Sequence, residues 1–372
     1  MHTSGFVFSL LGCVVCRDLE VRYALMNTVV LAVGGKEMSR HASYEDILQS
    51  FYTTEVDLSR FLTRFGVSFS PVLVLGDIAN PGFLNLPSAA PITTQMVTYT
   101  ASGAEVSDTY SGVNLWNLLA DAGGVTVTSA KNDILSKYVV ATGSDGYKAV
   151  FSLGEIDPSF GAQPVMAAFA DTAGQLGPQG TDGLARMVVP GDAAGGRYVS
   201  DLVSLKVLSL PEPGPVGPGG FSDQLSLSGQ IADPTIVTPE TLSALDQSTK
   251  ETATYTSGAG QVTDTYTGVS LWTLVQDSGL LTDPTIKNDL LRFAVVATGS
   301  DGYRAVISLG EIDPTFGNQH DLVAYKDTGG QLGPEGPDGA MRLVVPGDLA
   351  GGRYVSNLVS LNVIDATAVT HT

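Results

Sequence analysis

Two stretches, residues 139–151 and 295–307, pack β-branched and aromatic residues around one polar break: VVATGSDGYKAVF and VVATGSDGYRAVI. Asp-Gly between two such runs predicts a β-hairpin, because glycine accepts the positive φ that a tight turn demands. Other apolar runs read the same way. VLVLGDIANP (72–81) and LSLSGQIADP (225–234) predict a strand closed by a turn, and MVTYTASG (96–103) and TATYTSG (252–258) a second strand. ARMVVP (185–190) and MRLVVP (341–346) predict strands stopped by proline, and LVSLKVL (202–208) and LVSLNVI (358–364) a last strand. The period changes in GVNLWNLLADAGG (112–124) and GVSLWTLVQDSG (268–279). There Leu271, Trp272, Leu274 and Val275 form a helical stripe, and Gly279 sits where a helix-ending glycine belongs. The sum is a strand-rich α+β fold.

The predicted elements come twice. Trp116, Asp145, Arg186 and Arg197 recur as Trp272, Asp301, Arg342 and Arg353, each 156 residues on. PGDAAGGRYVSDLVSL (190–205) and PGDLAGGRYVSNLVSL (346–361) differ at two positions. GDIANP (76–81) and GQIADP (229–234) are offset by 153, so the second copy holds three extra residues early on. A period this long implies two tandem domains rather than solenoid units. The expected organisation is an N-terminal segment (1–68), a first repeat (69–210), a Pro/Gly linker (211–221) and a second repeat (222–366). The segment at 36–67 reads as short amphipathic helices. PEPGPVGPGG (211–220) is too rich in Pro and Gly for helix or sheet. Each repeat is long enough for a core of its own, so each is expected to fold when cut there.

Composition narrows the function classes. With 19 Lys+Arg against 38 Asp+Glu the formal charge is −19, which repels phosphate backbones and argues against nucleic acid as a partner. The two cysteines, Cys13 and Cys16, stand in an apolar run outside both repeats, so neither repeat has a thiolate. No stretch has the length of a confident membrane span. Residues 23–35 follow Arg17 and Arg22 and precede small residues, so they look like a signal core, and export to the periplasm, cell surface or medium is expected.

Candidate chemistry is sparse. GDLAGGRYVS lacks the Gly-Lys-Ser/Thr ending of a phosphate loop and reads as a tight turn. Asp327, Glu335 and Asp338 lie on a loop without calcium-loop spacing. His320 is the sole histidine of either repeat, which excludes a histidine triad or histidine-held metal common to both. The GEIDP pairs, Glu155 with Asp157 and Glu311 with Asp313, suit acid–base work or, more simply, a helix start or turn. Four cationic positions recur: Lys131/Lys287, Lys148/Arg304, Arg186/Arg342 and Arg197/Arg353. They are candidates for anion contacts, the alternative being ion pairs with the chain's many carboxylates.

The order of these pieces resembles the molybdopterin-binding oxidoreductase domain of the sulfite oxidase family. The matching strings are GDIANP, GVNLWNLLADAG, SDGYKAVFSL, GQLGPQGTDGLARMVVPG and LVSLKV in the first copy. The second copy has GQIADP, GVSLWTLVQDSG, SDGYRAVISL and GQLGPEGPDGAMRLVVPG. The resemblance implies a fold made for a pterin cofactor, with Arg186, Arg197, Arg342 and Arg353 as the residues that would meet its phosphate. It also implies a metal held by a cysteine after the second strand. The corresponding stretches, TYTASG (98–103) and TYTSG (254–258), have none, and a hydroxyl is a much poorer donor than a thiolate. The expectation is a non-catalytic binding, scaffold or surface module with no cofactor, no metal and a protein or small-molecule partner. The alternatives are a molybdopterin-dependent oxidoreductase that holds its pterin without the cysteine, and a subunit that docks on such an enzyme.

Overall fold

The computed structural model describes residues 70–177, 182–211, 219–334, 336 and 338–368. Cys13, Cys16, Glu335, the predicted helices at 36–67 and the predicted signal core lie outside them. The described residues fall in one compact unit. Among them no helix is long and apolar enough to cross a membrane.

Elements repeat in order. The first half runs β1 (Pro71–Gly76), β2 (Gly82–Asn85), β3 (Ile92–Ala101), β4 (Ala104–Asn114), α1 (Leu115–Asp121), β5 (Lys137–Gly143), β6 (Lys148–Ser152), α2 (Leu153–Ile156), β7 (Met166–Asp171), β8 (Gly174–Gln175), β9 (Arg186–Val188) and β10 (Leu202–Ser209). The second runs β11 (Leu225–Gly229), β12 (Thr235–Val237), α3 (Pro239–Ala244), β13 (Ser248–Ser257), β14 (Gly260–Ser270), α4 (Leu271–Asp277), β15 (Phe293–Gly299), β16 (Arg304–Ser308), α5 (Leu309–Ile312), β17 (Leu322–Asp327), β18 (Gly330–Gln331), β19 (Arg342–Val344) and β20 (Leu358–Asp365). The fold is α+β and strand-rich, as the patterning predicts.

Each half builds two five-stranded sheets. One has the order β2-β1-β10-β5-β6 and its counterpart β12-β11-β20-β15-β16. Within them β1 lies parallel to β10 and β11 parallel to β20, so the opening and closing strands of each half are neighbours. The other sheet joins β3-β4-β7-β8 with β9 on β7, matched by β13-β14-β17-β18 with β19 on β17. Each half fills the space between its own sheets with its own core, centred on Val139, Phe151 and Leu205 in the first and Val295, Ile307 and Leu361 in the second.

The Asp-Gly hairpins form as predicted. β5 and β6 are joined through Ser144–Tyr147 with Gly146 at φ +83°, and Asp145 Oδ1 accepts the Tyr147 amide at 2.9 Å. Gly302 repeats this at φ +82°. The helix predicted over 112–124 starts later. Gly112 to Asn114 finish β4, and the Asn114 side chain then caps α1 by accepting from the amides of Trp116 and Asn117. β4 and β14, eleven residues each, are strands the patterning does not reveal, because their inner faces carry few apolar residues.

A third apolar cluster belongs to neither half. Tyr138, Val140, Val150, Leu208 and Leu210 of the first pack with Ala294, Val296, Val306 and Ala366 of the second. On β5, Val139 and Ala141 face the first half's core while Tyr138 and Val140 face the seam. The two sheets therefore meet face to face, and β5 is buried along its whole length.

Candidate functional site

Two of the four repeated arginines and both GEIDP motifs converge on that seam. In each half the PGD turn leads to a Gly-Gly-Arg turn, Gly195–Arg197 and Gly351–Arg353. Arg197 is fully buried. Its Nε and Nη2 donate to the two oxygens of Asp192 at 2.8 and 2.5 Å, and its Nη1 donates to Glu155. Arg353 treats Asp348 and Glu311 in the same way. All three nitrogens of each arginine thus donate to carboxylates of their own half.

They nevertheless reach across. A Cβ on Gly310 of the second half would stand 2.6 Å from Cδ of Arg197, and Gly154 has the same relation to Arg353. Glycine is required there because the guanidinium stem lies flat against the opposing short helix. The glutamates continue the crossing. Glu155, at the third position of α2, has its amide capped by Ser152 Oγ at 3.0 Å. That hydroxyl donates to Glu311 of the other half at 3.2 Å, and Ser308 Oγ returns the bond to Glu155 at 3.3 Å. Each GEIDP motif is therefore both the predicted helix start and part of a buried network joining the halves.

The repeated tyrosines finish the stitching. Tyr147 of the DGY hairpin donates to Gly196 O at 2.6 Å and accepts from Asn288 of the other half at 2.9 Å. Tyr303 donates to Gly352 O and accepts from Asn132 at the same distances. Main chain joins in: the Ala193 amide donates to Phe316 O, and the Leu349 amide to Phe160 O, both at 3.0 Å. These cross-seam hydrogen bonds come in reciprocal pairs, each of one half having its counterpart in the other. This is an isologous interface of the kind that relates identical subunits, here inside one chain.

Arg186 and Arg342 sit away from the seam. Arg186 donates to Asp182 at 2.6 Å and to the Tyr110 hydroxyl at 3.0 Å, with its guanidinium over the Tyr110 and Tyr198 rings. Arg342 pairs with Asp338 at 2.6 Å between the Tyr266 and Tyr354 rings. For all four arginines, ion pairing with nearby carboxylates is what the structure shows. Of the other repeated cations, Lys131 lies over the Tyr303 ring across the seam and Arg304 donates to Pro211 O at 2.7 Å.

The stretch that the family resemblance aligns with a metal loop is a hairpin. β3 turns into β4 through Ser102 and Gly103, both left-handed, and Thr98 bonds Ser107 across it at 2.7 Å. Its Tyr99 stacks on Tyr198 with ring centres 4.2 Å apart, and the Thr100 amide donates to Ala193 O at 2.9 Å. The hairpin thus grips the Gly-Gly-Arg turn. A pterin with a protein-held metal needs a soft donor and unspent cations near its phosphate. Here Thr98 and Thr254 bond hydroxyls across their hairpins, and neither hairpin has a thiolate. Each arginine is ion-paired with a carboxylate, although Nε of Arg186 and Nε of Arg342 are buried without a partner. Lacking the soft donor, these residues do not fit a protein-held metal. Among the described residues no cluster of three or more His, Cys, Asp or Glu has the arrangement of a metal site.

The seam is crowded with acid. Burial pushes the Glu155 carboxyl up to about 7 against the opposing pull of Arg197, and burial also raises Asp192 and Asp348. Asp321 is raised well above the ordinary carboxylate range, first by burial and then by Glu311. Nothing in the sequence reading flagged Asp321. Its signal was the one acidic residue at the position where the first repeat has Val165.

Two surface grooves of about 430 and 400 Å³ share Phe221 on the second half, and neither is lined by Lys, Arg, His or Cys.

No family model matches the chain. No curated protein matches it. Among solved structures it is similar to the crystal structure of the sulfane dehydrogenase SoxCD from Paracoccus pantotrophus, at 14% sequence identity and a TM-score of 0.30, over 77% of this chain and 77% of that chain.

Proposed function

We propose that this protein is a non-catalytic binding or scaffold module. In it, two like halves are locked back to back and present two like outer surfaces. The observation that carries the reading is how the repeated charged residues are used. Arg197, Arg353, Glu155 and Glu311 are buried in the seam and satisfied by one another, so the strongest chemical motifs of the sequence serve assembly. Supporting it, the hairpins at 98–103 and 254–258 offer only paired hydroxyls where the resembling family places a thiolate.

The surfaces left for a partner are the long ribbons β3–β4 and β13–β14. Each bears a row of exposed hydroxyls bonded across the strands, Thr94 with Ser111 in one and Thr252 with Thr265 in the other, both at 2.9 Å. Two equivalent surfaces on one rigid body suit a bivalent contact, which gains avidity without new contacts. Elemental mass spectrometry on protein purified from its native host tests the reading. The expected result is no molybdenum or tungsten, with no oxidation of sulfite and no reduction of sulfoxides. Near-stoichiometric metal would overturn it in favour of a pterin-dependent oxidoreductase.

A further inference from the structure

The seam and the layer just behind it hold more acid than the seam's arginines answer. Five carboxyl side chains, Glu155, Asp192, Glu311, Asp348 and Asp321, and two guanidinium groups, Arg197 and Arg353, are all at most 2% exposed. Four of the carboxyls accept from an arginine. Asp321 does not. Neither of its carboxylate oxygens has a hydrogen-bond partner, although both are buried.

The main chain explains how it came to be there. The Asp321 carbonyl accepts from the Leu271 amide at 2.8 Å, and the Val165 carbonyl accepts from the Leu115 amide at 2.7 Å. The two residues occupy equivalent places on equivalent backbones, so an acid stands in a site that the first half fills with valine. The surroundings are acidic as well: Glu311 and Asp348 of the same half and Glu155 of the other act on it, against Arg353, which is already bonded to Asp348 and Glu311. Asp321 also acts on Tyr354, whose hydroxyl is raised first by burial and further by this acid. The Tyr354 hydroxyl is also buried without a partner, whereas its counterpart Tyr198 donates to Val189 O at 3.0 Å. A buried, unpaired carboxylate among other carboxylates is not sustained as an anion.

We propose that Asp321 is a proton-binding site: the folded protein holds it as a neutral carboxylic acid at neutral pH, and alkaline removal of that proton loosens the seam. The sign follows from linkage. A group that binds its proton more tightly when folded gives stability that is complete below the ordinary aspartate range and is lost as pH rises towards the folded value. The first half, with valine, has no such dependence at this position. The inference is independent of what the outer surfaces bind.

The test is denaturant unfolding of the full chain between pH 5 and 7 for wild type, Asp321→Val and Asp321→Asn. Valine packs at the equivalent place in the first half, and asparagine keeps the shape. The wild-type unfolding constant is expected to rise about tenfold more per pH unit than that of either variant, the signature of one extra bound proton. Equal slopes would overturn the proposal. Infrared spectroscopy of the folded proteins provides a readout that does not depend on variant stability. A protonated-carboxyl carbonyl stretch is expected in wild type at neutral pH, weaker by one carboxyl in Asp321→Asn, where Glu155 still contributes, and declining on alkaline titration. Wild type and Asp321→Asn with the same band would show that Asp321 is ionised.

Discussion

The two halves are nearly the same molecule where they touch and different just behind that surface. Across the seam Arg197 with Gly310 matches Arg353 with Gly154, and Tyr147 with Asn288 matches Tyr303 with Asn132. One layer back, Val165 becomes Asp321, and the Tyr198 hydroxyl has an acceptor that the Tyr354 hydroxyl lacks. The comparison explains the repeated strings. In a reciprocal interface a residue and its counterpart must each fit what the other half presents, so a change on one side calls for a change on the other. VVATGSDGY appears twice because its hairpin meets its own likeness. The second half also bears a buried acid without a matching cation, where the first half has valine.

Cutting the folded chain within 211–220 is the largest perturbation. The halves are expected to stay together on size exclusion, since the cut leaves the shared apolar cluster and buried ion pairs intact. Prompt separation would break the picture of one seam. Next in size, Arg353→Met and Arg197→Met each strand two or more buried carboxylates, at a cost of roughly 3–5 kcal/mol in urea unfolding. Arg353→Met should cost more, because Asp321 adds to the acid left behind. Equal losses would remove the asymmetry. Gly146→Val and Gly302→Val place a β-branched residue at positive φ and should each cost roughly 1–3 kcal/mol by thermal unfolding. Both turns are alike, so a large difference between them would show that the halves differ at the hairpins too. The smallest effects belong to Tyr147→Phe and Tyr303→Phe, about 1 kcal/mol per hydrogen bond lost, one of them the cross-seam bond from Asn288 or Asn132. Doubling the substitution measures whether the two stitches are independent.

Much of the fold was legible. The Asp-Gly hairpins, the opening and closing strands, the α4 stripe with Gly279 as its stop, and the α+β class all follow from period and turn chemistry. β4 and β14 did not, because threonine and serine dominate their outer faces and an aspartate and a glycine interrupt the apolar signal inside. Of the site, the sequence named all four arginines and both GEIDP motifs, and raised ion pairing as the alternative to anion binding. It did not show that the motifs face each other across a seam. The clue was there in KYVVATG, an unbroken run where a half-buried strand would alternate, which signals burial on both faces. Asp321 was missed because a single acid in a chain with 38 Asp+Glu draws no notice until its burial is known.

Joining the halves by a short linker changes what dilution does to them. Two separate subunits with this interface would obey mass action and come apart as concentration falls. Tethered through the Pro/Gly stretch, each half meets the other at a fixed local concentration, on the order of millimolar for short tethers. The seam is then no longer a concentration-dependent equilibrium between molecules but a property of each one. A seam weakened by an unpaired acid can therefore persist in a dilute protein, where a free dimer carrying the same residue would fall apart.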